Sequence, residues 1–567
     1  MGLLKKGKKK KPLRQTGRGA ASTAQSNLRP QQVQKNPPCT GECPSGNDIR
    51  GWLTTIAQRD KLGLSQDEAF EKAWRTICET NPFPSIMGRV CPHPCETNCN
   101  RKIKDGAVSI NCLERFIGDW GLEKKLALTK LEGEEPKSES LGVIGAGPAG
   151  LSFAYQMARR GYPVTVYDKY EHAGGMLYYG IPFYRLPADV MKAEFDRIVD
   201  LGVELKLGCE VGKDISLDEI KQKHKAIFLG VGAHKGKLMR VEGEQGPGVW
   251  TGTDYLREVA KGNQVDVGKS VVVIGGGDTA IDAARVARRT GAEVTILYRR
   301  TRVEMPAIDT EVEDAFKEDV KIEFLVLPVG VVREGDALKA IQVQRMELGE
   351  PDSSGRRRPV PIEGTEYTIA VDTIIAAISQ EPDWDPIPEM GPKQRWLEAD
   401  EHYKVKENAG DIDNVWTGGD ALDLGIATTA VLHGRLAALD VHATLRGRER
   451  EHHIKEPPIP PERIKPEHYD AKDKTAPSHR PVEEWLTKPD DEITQRISEE
   501  QFLEEATRCF SCGLCMGCEK CWMYCTPSCF VKVPQITHGS YYTIKLDVCD
   551  GCKKCADECP CGYLDMI

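Results

Sequence analysis

The 567-residue chain has no run approaching the ~18 apolar residues that mark a membrane-spanning helix. Its opening, MGLLKKGKKKKPLR, lacks the apolar stretch of a signal peptide, and Lys6 stands where a myristoylation signal has Ser or Thr. The chain is therefore expected in the cytoplasm, with no membrane span. Positive charge is not in excess either: the formal net charge is −9, which excludes nucleic-acid binding as the main role. The basic run at the start is expected to be a disordered or extended tail over residues 1–38. Docking to an acidic partner or an anionic surface is the other reading. Cysteine is almost missing from the middle, where Cys209 alone lies between Cys112 and Cys509.

That gap gives meaning to the rest. Of twenty cysteines, seven lie between Cys39 and Cys112 and twelve between Cys509 and Cys561. A reducing compartment disfavours disulfides, so clustering at both ends predicts metal sites at both ends. The 40% hydrophobic content is enough for large buried cores, and the length suggests roughly three to five domains.

The cysteine-poor middle carries two glycine-rich turns. Residues 140–169 read SLGVIGAGPAGLSFAYQMARRGYPVTVYDK. An apolar strand runs into Gly145, Gly147, Pro148, Ala149 and Gly150, then a helical pattern, then a second strand ending at Asp168. Glycines there allow a tight turn and bring backbone amides to a pyrophosphate at a helix N-terminus, while the acid can bond a ribose hydroxyl. Residues 270–300 repeat the plan with Gly275, Gly277, Asp278, Thr279 and Ala280, but the second strand ends at Arg299 and Arg300. Arginine at that place suits a 2′-phosphate, which favours NADPH; surface arginines beside an NADH site are the alternative. A later strand, Gly419-Asp420 turn and helix beginning near Thr428 and Thr429 predict a return to the first domain. The strand in VDTIIAAISQEPD (371–383) is assigned to that return. Two dinucleotide folds, one inserted in the other, describe a flavoprotein that binds FAD and NADP(H) or NAD(H).

The C-terminal cysteines follow a ruler. Cys515, Cys518, Cys521 and Cys525 are spaced as are Cys549, Cys552, Cys555 and Cys559. This is the two-cluster ferredoxin pattern, in which the fourth cysteine of each run ligates the other [4Fe–4S] cluster. One set is then Cys515, Cys518, Cys521 and Cys559; the other is Cys549, Cys552, Cys555 and Cys525. Thr526 intervenes before Pro527, a small departure from the pattern.

The segments GGMLYYGIPFYRLP (174–187, with Gly175 and Arg185), GGGDTAIDAAR and YRR…EMPA resemble the glutamate synthase small subunit and the NADPH-oxidising half of dihydropyrimidine dehydrogenase. The resemblance covers roughly residues 39–447. It implies FAD in the outer domain, held also by Gly175, Arg185, Asp420 and the helix near Thr428 and Thr429, with NAD(P)H in the inserted one. It also implies a helical N-terminal domain with two [4Fe–4S] clusters. Those families begin with an additional C-x2-C that this chain lacks before Cys39. The local candidates are Cys39, Cys43, Cys91, Cys95, Cys99 and Glu114, two short of eight. Cys509 and Cys512, in EEATRCFSCG, are surplus to the ferredoxin runs. They are expected to complete one cluster with Cys39 and Cys99, leaving Cys43, Cys91, Cys95 and Glu114 for the other. The alternative is a missing cluster and two plain thiols.

The expected fold is α/β: two nested Rossmann-like dinucleotide-binding domains, preceded by an α-helical iron–sulfur domain and followed by a ferredoxin-like α+β domain. The expected boundaries are 39–135 for the helical domain, 136–265 and 375–447 for the FAD domain, and 266–374 for the NAD(P)H domain. A Pro- and charge-rich linker should span 448–505, with the ferredoxin domain at 506–567. A hydride carries two electrons and a cluster takes one, so a flavin must stand between them. The expected activity is NAD(P)H:acceptor oxidoreduction, reversible in principle, with the terminal chemistry in a protein partner. The fusion resembles the DsrL-like iron–sulfur flavoproteins associated with dissimilatory sulfite reductase, which implies a role in sulfur metabolism. An electron-donating subunit of glutamate synthase, or of a hydrogenase or transhydrogenase complex, is the alternative. A homodimer is expected.

Overall fold

A computed structural model describes residues 26–353, 355–392, 395–406, 414–449 and 457–567, so the basic run within 1–25 lies outside the described residues. The chain forms two compact units. One comprises Met1–Leu126, Glu451–Pro477 and Arg496–Ile567; the other comprises Ala127–Arg450 and Ser478–Gln495.

The larger unit holds two five-stranded parallel sheets. In the first, the order is Val415–Thr417, Ala226–Leu229, Leu141–Ile144, Val164–Asp168 and Glu204–Leu207. Its central strands are buried throughout, which is why they read as unbroken apolar runs rather than alternating ones. Helices Pro148–Ala158 and Ala427–Arg446 cross closely, and the Ser152 hydroxyl donates to the Val431 carbonyl at 2.7 Å.

The second sheet runs Lys321–Phe324, Glu293–Tyr298, Ser270–Ile274, Thr373–Ala376 and Val249–Thr251. This corrects the expected boundaries at 265/266 and 374/375. Strand Thr373–Ala376 lies between Ser270–Ile274 and Val249–Thr251, so it belongs to the inserted domain and not to the return. A strand buried on both faces has the same apolar signature in either sheet, and nothing in its own residues says which it joins. The two passages between domains pair antiparallel, Gln380–Glu381 against Lys235–Gly236. A four-stranded antiparallel sheet, Val326–Glu334, Ala337–Pro351, Arg357–Pro361 and Tyr367–Ala370, shares a core with the second parallel sheet through Val331, Ile341 and Val343.

The expected linker is also corrected. Over residues 457–505 the chain is docked on cores rather than strung between them. Tyr469 is fully buried among Phe510, Met516 and Cys559. Trp485 and Ile493 enter the core of the second parallel sheet, where the Ile493 N–H donates to the Tyr184 carbonyl at 3.0 Å. A Pro- and charge-rich segment has no core of its own, yet isolated aromatics on it can anchor in a neighbour's.

In the other unit, helices Ile49–Ala57, Gln66–Cys78, Pro84–Val90 and Ile110–Glu123 form the expected helical domain. Its aromatic core is completed by Phe502 of helix Glu499–Ala506, stacked on Phe116 at 4.2 Å and edge-on to Phe70 at 5.1 Å. The ferredoxin-like part pairs Phe530–Thr537 with Ser540–Ile544. Its last strand, Leu564–Met566, pairs antiparallel with Pro30–Gln32, so that part of the expected tail is a docked strand. Among the described residues no helix is long and apolar enough to cross a membrane.

Candidate nucleotide cradles and metal-ligand sets

Each cradle is a strand that stops at a glycine no other residue could replace. Gly145 has φ +104°, and a Cβ there would stand 2.2 Å from the Gly230 carbonyl oxygen. Gly275 has φ +147°, and its Cβ would meet the Ala377 oxygen at 2.3 Å. The second glycine of each motif has the opposite property. Gly147 and Gly277 N-cap helices Pro148–Ala158 and Asp278–Arg289. A Cβ on Gly277 would meet nothing within 4 Å, and one on Gly147 only the Gly175 Cα at 4.0 Å. The space before both helix N-termini is open to a pyrophosphate, where amides and the helix dipole favour anions. Gly150 and Ala280 are the packing positions: a Cβ on Gly150 would collide with the Gly145 oxygen, while Ala280 is fully buried. Both cradles thus fit a dinucleotide.

Asp168 sits at the end of its strand, buried. One carboxylate oxygen accepts the Ala146 N–H at 2.7 Å and the other the Tyr170 N–H at 2.8 Å. Burial pushes its carboxyl up, and each oxygen keeps a lone pair for a hydroxyl. In the return segment, the Gly419 N–H donates to His433 Nδ1 at 3.1 Å, and Asp420 accepts the Gly425 N–H at 3.1 Å. Burial pushes Asp420 up to about 6. Thr428 and Thr429 lie in the first turn of Ala427–Arg446.

A cleft of about 580 Å3 is lined by the second cradle, Gly275–Gly277 with Thr279, and by Asp420, Leu424 and Gly425. The second cradle and the Asp420 turn therefore face one space. Arg299, Arg300 and Arg356 also line it. Arg300 is buried and engaged: its Nε donates to the Arg357 carbonyl at 2.7 Å and its Nη2 pairs with Asp352 at 2.8 Å. It pins the hairpin that carries Arg356, and Arg299 and Arg356 are solvent-exposed where they line the cleft. Two more expected cofactor residues have structural partners. Arg185 makes two bonds to Asp282, 2.8 and 2.7 Å, and a third ion-pair contact to Glu311 at 3.1 Å. Asp278 accepts the Ile308 N–H at 2.9 Å.

Cys515, Cys518, Cys521 and Cys559 line one cavity, with Cys561 beside them. Burial pushes Cys555 up to about 12, with Cys525, Cys552 and Cys549 as its neighbouring thiols. The Cys561 thiol, 3.8 Å from Cys559, holds the Cys559 thiol below its ordinary range. Cys95 is raised by burial, then by Cys43, Cys91 and Glu114. Burial pushes Glu114 up to about 7, against a 2.8 Å hydrogen bond from Asn81. Cys39 is raised by burial, then by Cys509, Cys99 and Cys512. Among the described residues no three such groups converge on a single ion's position. Thiolates around an iron–sulfur cube stand farther apart than ligands of one ion, and the first of these sets rings a cavity instead of meeting at a point.

Residues 140–434 match the pyridine nucleotide-disulphide oxidoreductase family profile. The chain belongs to that family. Residues 15–126 match the family described as dihydropyrimidine dehydrogenase domain II, 4Fe-4S cluster. The chain is 41% identical over 424 residues to the NADPH-Fe(3+) oxidoreductase subunit beta of Geobacter sulfurreducens, covering 70% of this chain and 62% of that one. It is 38% identical over 459 residues to the NADP(+)-dependent formate dehydrogenase subunit beta of Moorella thermoacetica, covering 76% and 63%. With the glutamate synthase [NADPH] small chain of Azospirillum brasilense it shares 35% over 430 residues, covering 72% and 86%. The chain thus spans under two thirds of the length of the Geobacter and Moorella proteins.

This pyridine nucleotide-disulphide oxidoreductase is glutamate synthase small-subunit-like, with FAD, a pyridine nucleotide and [4Fe–4S] clusters as its cofactors. Sequence reading missed Arg356, Asn81 and Cys561 as neighbours of these sites. Only Arg356 had a visible signal, the basic run GRRRP at 355–359, and only the hairpin brings it to the cleft.

Proposed function

We propose that the chain is an NADPH:acceptor oxidoreductase that passes electrons, in either direction, between NAD(P)H, FAD, [4Fe–4S] clusters and a protein redox partner. The observation that carries this reading is the single cleft shared by the second cradle and the Asp420 turn. In this reading, amides at Gly145–Gly150 hold the FAD pyrophosphate and Asp168 its adenosine ribose. Asp420 and the first turn of Ala427–Arg446, with Thr428 and Thr429, face the flavin end. Amides at Gly275–Ala280 hold the nicotinamide nucleotide, and Arg299 with Arg356 supply charge for a 2′-phosphate. When bound, the flavin exchanges hydride with the nicotinamide and single electrons with clusters. The two cysteine sets of the ferredoxin-like part hold the outlet clusters, and Cys43, Cys91, Cys95 and Glu114 hold one at the N-terminal end.

The order of modules supports dissimilatory sulfite reductase as the partner, and with it a role in sulfur metabolism; a homodimer is proposed on the resemblance alone. The 86% coverage of the Azospirillum protein favours, as a second reading, a donor subunit of a glutamate synthase-like complex. Anaerobic titration of the holoprotein with NADPH and NADH, followed by added acceptors, tests all of this. NADPH should bleach the flavin at lower concentration than NADH, and cluster absorbance should fall next. A flavin that neither nucleotide bleaches would refute the core reading. Re-oxidation by sulfite reductase or by a glutamate synthase large chain separates the two partners.

A further inference from the structure

We propose that Cys509 and Cys512 close a [4Fe–4S] site with Cys39 and Cys99, so that one cluster is ligated from both ends of the chain. This deepens the iron–sulfur part of the reading above. The segment bearing Cys509 and Cys512 is clamped to the N-terminal helical domain on both sides. Lys35 N–H donates to the Gly513 carbonyl at 3.0 Å. Buried Arg50 bridges the two stretches, with Nη1 2.6 Å from the Lys35 oxygen and 2.7 Å from the Cys512 oxygen. Asn100 Nδ2 lies 3.6 Å from Cys512 Sγ, within reach of a hydrogen bond to sulfur.

One turn upstream, fully buried Arg508 donates to the Ala107 and Gly106 carbonyls at 3.0 and 2.8 Å. Arg101 returns the contact to the Arg508 carbonyl at 2.9 Å. Glu505 accepts the Ser109 N–H at 2.8 Å. These bonds fix the segment's backbone against the stretch that carries Cys99.

The thiol neighbourhoods agree with this clamp. Cys99 directly precedes Asn100, whose amide reaches the Cys512 sulfur, and Cys39 lies four residues past Lys35, whose N–H holds the Gly513 carbonyl. The surroundings suit four thiolates: the buried guanidiniums of Arg50, Arg101 and Arg508 all bind the backbone of these stretches. The buried Nε atoms of Arg50 and Arg508 have no acceptor among the described residues, and sulfide is an acceptor that such donors can use. On ligation each thiol releases its proton, and the guanidiniums offset the resulting charge. Cys512 and Cys515 are three residues apart, so this site and the first ferredoxin-like set take ligands from one short stretch.

The test is iron content and cluster spectroscopy of the anaerobically purified full chain. The native protein should hold about sixteen irons and the C509A/C512A variant about twelve. Cys112→Ala should match the native count. Equal iron in the native protein and C509A/C512A, or a native count of about twelve, would overturn the proposal. Cys512→Ser alone decides the matter if the double variant loses all its iron. In a folded, FAD-loaded C512S protein, the EPR spectrum should show a three-iron or altered cluster; an unchanged spectrum would overturn the assignment. Flavin bleaching by NADPH is read on the same samples. Its absence in the native protein would refute the proposed function while leaving the iron count to decide this site.

Discussion

The two units differ in how far along the chain their sites are assembled. The first cradle's glycine turn lies within residues 140–169, one strand, one turn, one helix and one strand. The helical iron–sulfur domain is stitched: Phe502, Glu505 and Arg508 fill its core and bind its backbone from some four hundred residues away. A contiguous site depends on single backbone positions. A stitched site depends on side chains that hold distant segments together, here a buried aromatic ring and a buried, paired Glu505 and Arg508. The two designs should fail differently.

The largest effect is expected at the contiguous site. Gly145→Val forces an L-residue to φ +104° and into the Gly230 carbonyl, so the purified protein should contain no FAD. Flavin absorbance checks it, and retention of FAD would remove the contrast.

Next comes the stitch. Arg508→Met leaves Glu505, fully buried, without its 2.6 Å partner. Breaking such a pair costs about 3–5 kcal/mol. Thermal unfolding should shift the iron–sulfur absorbance transition down while FAD stays bound. Loss of both together would mean the units do not unfold separately.

A smaller effect sharpens the picture of the cleft. Arg356→Ala should raise KM for NADPH about tenfold, near 1.4 kcal/mol, and leave KM for NADH unchanged. Equal change for both nucleotides would assign Arg356 to structure instead of the 2′-phosphate.

The smallest is a pH effect on the Asp420 turn. His433 accepts the Gly419 N–H through Nδ1, and burial holds its imidazole down, from 6.5 to about 4. Its folded-state pKa is the lower one, so its contribution is fully present above pH 6.5 and is lost as pH falls toward 4. FAD release should rise over that window in the native protein and flatten in His433→Gln.

Much of this was legible in the residues. The two ferredoxin-like cysteine runs stand out because each places three cysteines at intervals of three residues and a fourth four residues on. The cradles could be placed because glycine, helix and terminal acid fall in register. Three features could not. Strand Thr373–Ala376 is apolar on both faces, and only its neighbours say which sheet it joins. Trp485 and Tyr469 sit in a Pro- and charge-rich stretch whose composition hides their anchoring role. Arg300 reads as a phosphate ligand and does line the cleft, but that its guanidinium also pins a hairpin is not visible from its own position.

The chain by itself pointed to the cofactor chemistry: two glycine turns for nucleotides and two repeated cysteine runs of the ferredoxin type, each run spaced over a few residues. Only the tertiary structure decided which distant groups share a site. It brought the Asp420 turn and the second cradle to one cleft, with Arg356 and Arg299 both lining it, and it docked the segment of Cys509 and Cys512 on the stretch after Cys99. Local spacing fixes geometry across a turn of backbone, whereas contacts across hundreds of residues depend on which cores bury which anchors, and that is a property of the packed whole.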